Sequence, residues 1–153
     1  MPQYDLSVDV GMGLDLEVRQ IPVSWRWQAA FKNRRSPPIL SVEHDFLEAA
    51  IYDLAGQVLP MADKVEAVKE EGYRNFKRFS ISLLPEIYFD VSRQNEVWSA
   101  EIRNLDRQHV LVTFGGPTVD DVAEQAGRKL REFARDVAEL VPRVLKVAGA
   151  LGE

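Results

Sequence analysis

Residues 4–19 read Tyr4-Asp5-Leu6-Ser7-Val8-Asp9-Val10-Gly11-Met12-Gly13-Leu14-Asp15-Leu16-Glu17-Val18-Arg19, and their alternation decides the fold. Tyr4, Leu6, Val8 and Val10 fall on one side and Asp5, Ser7 and Asp9 on the other; Leu14, Leu16 and Val18 repeat the pattern against Asp15, Glu17 and Arg19. Period two on both sides of a glycine-flanked gap of three residues predicts a β-hairpin with one face buried and one wet. The glycines are turn chemistry. A phosphate-cradling loop would need a third glycine and a helix directly after it, and neither follows Gly11-Met12-Gly13.

Outward from the hairpin, Val23, Trp25 and Trp27 alternate with Ser24, Arg26 and Gln28, which predicts a third strand, with a helical turn open as a reading of Gln28 to Lys32. Pro37-Pro38 ends this stretch, and Ser41 is placed to cap the next element. Phe46, Leu47, Ala50, Ile51, Leu54, Ala55 and Val58 recur at helical spacing up to Pro60, and Val65, Val68, Gly72 and Phe76 form a narrower stripe that predicts a more polar helix over 62–77. Period two then returns: Phe79, Ile81 and Leu83; Ile87, Phe89 and Val91; Trp98, Ala100 and Ile102; Val110, Val112 and Phe114, an antiparallel meander ended by Gly115-Gly116-Pro117. Thr118 with Asp121 three residues on makes a capping-box-like start. The stripe that follows, through Leu130, Val137, Val144 and Ala148, predicts one helix over 118–150, about 50 Å long. That exceeds a domain of this size, so the helix either kinks at Pro142 or projects its apolar end, Val144, Leu145 and Ala148, into a second copy.

The fold class is therefore α+β: an antiparallel sheet, made of an N-terminal hairpin and a C-terminal three-stranded meander, packed against three helices of which the last is long. A chain of 153 residues with 46% hydrophobic and 28% charged side chains suits one domain spanning residues 1–153, stable without disulfides. The chain has no cysteine, which removes thiolate metal sites and cysteine nucleophiles. The amino-terminal residues predict no secretory signal, and no apolar run reaches the roughly 20 residues needed to span a bilayer; the expected location is the cytoplasm, with no membrane contact.

Charge is distributed unevenly. The net charge is −5, yet residues 18–42 contain no acid and five cations, Arg19, Arg26, Lys32, Arg34 and Arg35. With Trp25, Trp27 and Phe31 among them, the residues Trp25, Arg26, Trp27, Lys32, Arg34 and Arg35 form the candidate contact surface. Trp and Arg are the residue types most enriched in interface anchors, so a protein partner is favoured, with nucleic acid bound through residues 19–35 as the other reading.

Catalytic patterns are incomplete. His44 and Glu48 are four apart, a spacing compatible with two ligands on one helix face, but no third ligand stands at a defined offset, and His109 reads as a turn histidine. Asp90 with Asp120, Asp121 or Glu124 could contribute to a Mg²⁺ site for phosphodiester cleavage, which needs three or four acids brought together. The carboxylates at 120 and 121 are better explained by the positive end of the helix dipole, which favours acids in the first turn. No metal, cofactor or catalytic residue is assigned.

Residues 86–133 carry a resemblance. Ile87-Tyr88-Phe89-Asp90-Val91-Ser92, Glu96-Val97-Trp98-Ser99-Ala100-Glu101-Ile102-Arg103-Asn104-Leu105, a third strand, and Thr118 to Ala126 entering an amphipathic helix are similar to the partial RNase-H-like core of HicB-type antitoxins. Leu105-Asp106-Arg107-Gln108 stands where that family has a proline-glycine turn. The resemblance implies a non-enzymatic regulatory protein that acts by binding a basic protein partner, in keeping with the net negative charge. The residues leave open a structural assembly subunit, such as a phage-type component, whose basic segment and long terminal helix mate with neighbours, and a Mg²⁺-dependent nuclease built around Asp90.

Overall fold

The computed structural model describes residues 5–32, 38–84, 87–104 and 110–152. The chain divides into two compact units, Met1–Val58 with Glu132–Glu153, and Leu59–Arg131. The α+β class stands, with two four-stranded antiparallel sheets and four α-helices among the described residues.

The first unit begins with β1 (Asp5–Gly11) and β2 (Leu14–Gln20), paired in the register that the alternation dictates, Val8 opposite Leu16 and Leu6 opposite Val18. The turn needs left-handed backbone at three successive positions, φ of 89°, 56° and 69° at Gly11, Met12 and Gly13, and two of the three lack a Cβ to clash there. The Asp9 carboxylate accepts the Gly11 N–H at 2.9 Å. β3 (Trp27–Lys32) and β4 (Leu40–His44) complete the sheet in the order β1-β2-β3-β4. Leu16, Phe31 and Leu40 stand in one cross-strand row, and Val18, Ala29 and Val42 in the next.

Two sequence expectations fail in this unit. The third strand begins at Trp27, two residues past Trp25, and takes in the residues left open as a helical turn. Ser41 lies within β4, so α1 (Leu47–Gly56) starts instead at Phe46, whose side chain makes no capping hydrogen bond. α1 packs on β3 and β4 through Leu47, Ala50, Ile51 and Leu54.

In the second unit α2 (Leu59–Glu66) takes Pro60 into its first turn, where the missing N–H has no helical partner to lose. The polar helix expected over 62–77 stops at Glu66 and is followed only by a 3-10 turn, Glu70–Tyr73. Gly72 and Phe76 are exposed, so they do not continue the buried stripe of Val65 and Val68. β5 (Arg78–Leu84), β6 (Ile87–Gln94), β7 (Val97–Asn104) and β8 (Val110–Gly116) form a meander of four strands, one more than the fold class counted. Phe89, Val91, Trp98, Ala100 and Ile102 are buried to 1% exposure or less.

The long final helix is present as α3 (Val119–Glu139) and ends there; α4 (Val141–Gly152) is a separate helix with Pro142 in its first turn. Proline cannot continue the hydrogen-bond ladder, so Leu140 becomes the break. Thr118 caps α3 as predicted, its Oγ1 accepting the Asp121 N–H at 3.1 Å. From Glu132 onward α3 belongs to the first unit, where Phe133 meets Phe31 with ring centroids 5.1 Å apart and α4 packs against α1. Of the three residues expected to seat a second copy, Val144 is buried within its own chain, and Leu145 and Ala148 are half-buried. Of that stripe, Val144 is thus used in folding. No helix among the described residues is long and apolar enough to cross a membrane.

Candidate functional site

The segment joining β2 to β3 is built around Pro22. Proline has no N–H to donate to a sheet, and the chain turns instead: the Ile21 N–H bonds the Arg26 carbonyl at 2.8 Å, the Trp25 N–H the Ile21 carbonyl at 2.9 Å, and the Ser24 N–H the Pro22 carbonyl at 2.9 Å. Side chains close the rest, with Ser24 Oγ accepting the Arg26 N–H at 3.3 Å and Gln20 Nε2 donating to the Trp25 carbonyl at 3.3 Å. Two residues of this loop hold left-handed backbone without being glycine, Val23 at φ 76° and Trp25 at φ 59°. For a β-branched residue this is a strained conformation, and it persists only where surrounding bonds over-determine it.

What the loop presents is apolar. Val23 is 95% exposed and Trp25 46%, and the segment joining β4 to α1 adds Phe46, 67% exposed. Arg26 ties the two segments together, its Nε 3.1 Å from Asp45 Oδ1 and its Nη1 3.9 Å from Glu43 Oε2. Val23, Trp25 and Phe46 therefore stand at one end of the first sheet.

The candidate surface predicted from sequence is redistributed by this geometry. Trp25 and Trp27, expected on one face of a strand, part company: Trp25 is in the loop and Trp27, half-buried, opens β3 opposite His44. Lys32 lies 3.8 Å from Glu17 on the neighbouring strand. Arg34 and Arg35 lie outside the described residues, as does His109. Three acids from just outside the basic window, Glu17, Glu43 and Asp45, reduce its +5 to +2.

The other sequence candidates are not brought together. His44 is in a strand and Glu48 in a helix; the partner of His44 is Asp53 of α1, with Nε2 and Oδ2 2.7 Å apart. That contact, and a second hydrogen bond from Gln57, hold the Asp53 carboxyl below the usual range. Nine residues separate the pair, a distance that no helical or strand periodicity flags. Asp90 sits on the polar face of the second sheet, where Ser80 Oγ donates to it and Arg103 lies 3.8 Å away; Arg103 is also 2.9 Å from Glu101. Asp120 accepts the Glu70 N–H at 2.8 Å, and Glu124 pairs with Arg128. Among the described residues no three His, Asp or Glu side chains converge to hold a metal ion.

No family model and no curated protein matches the chain. A chain from crystal structures of Trypanosoma bruciei MRP1/MRP2 is similar at 12% identity, covering 89% of this chain and 83% of that one, with a TM-score of 0.21, too low to establish a shared fold.

Proposed function

We propose that the protein is a binding protein that engages a protein partner through the end of its first sheet, with Val23, Trp25 and Phe46 as contact residues. The observation that carries this reading is the Ile21–Arg26 loop, in which five hydrogen bonds hold two strained residues so that their apolar side chains face solvent. A loop ordered before contact loses little conformational entropy on binding, and a tryptophan offered on it is the residue type that most often anchors an interface. The ion pairs of Arg26 and Lys32 lower the formal charge of the basic window from +5 to +2, and the exposed groups of the loop itself are apolar, so these carry the contact. The antitoxin-like regulator is the narrower form of this proposal; it rests on the resemblance of residues 86–133, and its partner would be a small basic toxin.

The test is a quantitative affinity purification of wild type beside a Val23→Ser, Trp25→Ser double variant. The expected result is a partner retained stoichiometrically by wild type, lost by the variant, and little affected between 50 and 200 mM salt, at unchanged melting temperature. An identical set of retained proteins in both samples would refute the proposal.

A further inference from the structure

The cations that remain free lie elsewhere, in a stretch without acids from Gly72 to Leu84: Tyr73-Arg74-Asn75-Phe76-Lys77-Arg78-Phe79. Arg74, Lys77 and Arg78 are exposed and have no ion pair among the described residues, and neither has Arg93, which the fold brings to the same place. The Arg93 N–H bonds the Lys77 carbonyl at 2.8 Å, and Arg78 is paired in register with Ser92. Four unpaired cations therefore gather at one end of the second sheet.

Aromatic rings interleave with them. Tyr73 stacks on Phe79 with centroids 3.8 Å apart and planes 15° from parallel, Phe79 meets Trp98 edge-on at 6.4 Å, and the Arg93 guanidinium lies 5.1 Å from the centre of the Trp98 ring. Trp98 is fixed from beneath by its Nε1 donating to Glu70 at 3.1 Å. Phe76, 5.8 Å from Tyr73 and 51% exposed, is the ring this stack offers to solvent. Acids lie nearby, Glu70 bonded to Trp98, Asp90 and Glu101 sharing Arg103, and Glu71 and Glu96 exposed, but among the described residues none of them forms an ion pair with these four cations.

We propose that this surface, Arg74, Phe76, Lys77, Arg78 and Arg93, binds single-stranded nucleic acid. Unpaired cations spaced around an exposed ring fit a chain whose phosphates need counter-charge and whose bases need a flat apolar face. An acidic peptide would be served by the cations alone and would leave Phe76 without a role. A net charge of −5 does not forbid the contact, because at physiological salt a field decays over about 8 Å and the local charge governs. The proposal is independent of the protein-binding loop, which belongs to the other unit.

The test is fluorescence anisotropy of labelled twelve-residue oligonucleotides, one of deoxythymidine and one of uridine, with a duplex of equal length beside them. The expected result is saturable binding of the single strands, at least tenfold weaker binding of the duplex, and an affinity loss of about fifty-fold between 50 and 200 mM salt if four phosphates are neutralised. Phe76→Ser should weaken single-strand binding about tenfold, and Arg74→Ala with Lys77→Ala should flatten the salt dependence. Both changes are at exposed positions, and an unaltered melting temperature confirms that the variants fold. Val23→Ser with Trp25→Ser should leave the affinity untouched. Absence of saturable binding, equal affinity for duplex, or indifference to Phe76→Ser would each overturn the proposal. Ribose discrimination between the two single strands decides whether RNA or DNA is the preferred form.

Discussion

At the scale of single residues, the loop makes its claim through backbone strain. A β-branched side chain in left-handed backbone costs about 1–2 kcal/mol, more than the conformational entropy a glycine loses on folding, so Val23→Gly should raise stability by up to about 1 kcal/mol while weakening partner binding. Thermal melts of the two proteins check the sign. A fall in stability would mean that the exposed Val23 side chain has packing partners in solution. The sequence hid this. Val23, Trp25 and Trp27 alternate as a strand would, and only Pro22, which cannot donate to a ladder, pointed to a turn. Asp53 supports a second prediction. Its pKa is lowered in the fold by His44 and then Gln57, so the contact stabilises the protein above the ordinary carboxylate value of 3.8 and is lost as the pH falls below it. Both side chains are more than a third exposed, which keeps the contribution below about 1 kcal/mol. Asp53→Asn should lower stability slightly at neutral pH and make the acid limb of the melting-temperature profile shallower below pH 4; an unchanged limb would remove the pair from the stability account.

At the scale of elements, α3 carries a glycine in its middle. Gly127 lies so close to the Glu66 side chain that a Cβ would overlap it, and Glu66 reaches past it to Arg131, its Oε1 2.7 Å from Nε. Alanine there gains about 1 kcal/mol of helix propensity, and against it stands the re-routing of the Glu66 side chain from its Cγ outward. Gly127→Ala should therefore leave the melting temperature within about 3 °C and move Glu66 off Arg131, returning its lowered pKa to the ordinary carboxylate range, a shift that NMR titration reads directly. A larger loss of stability would show that α2 itself must move. α4 gives the opposite case. Val144 is 2% exposed, so Val144→Asp should destabilise the first unit by about 3 kcal/mol or more and should not simply dissociate an oligomer. Urea unfolding monitored beside light scattering separates the two outcomes. The hairpin, the meander and the Thr118 cap were legible because each rests on contiguous alternation or a three-residue spacing. β4 was not, since Ser41 and Val42 stand between Pro37-Pro38 and an amphipathic helix and read equally well as a lead-in to it. The stripe from Val65 to Phe76 misled in the same way: helical spacing assigned Phe76 to the interior, and that concealed the free cations around it.

At the scale of the whole molecule, each unit offers one surface of its own kind. The first presents an apolar loop bordered by paired charges, the second unpaired cations around an exposed ring. Composition could not separate them, because formal charge counts Arg26 and Arg74 alike; only the fold pairs Arg26 with Asp45 and Glu43 and leaves Arg74 without an ion pair among the described residues. The protein-binding claim is tested most directly by a photo-cross-linking amino acid placed at position 23 in cells. Val23 points to solvent, so a discrete cross-linked product forms only if a partner sits on the loop. The account predicts one such product, abolished by Trp25→Ser and unchanged when the cross-linker-bearing protein also carries Phe76→Ser. A product that survives Trp25→Ser, or no product at any expression level, would contradict it.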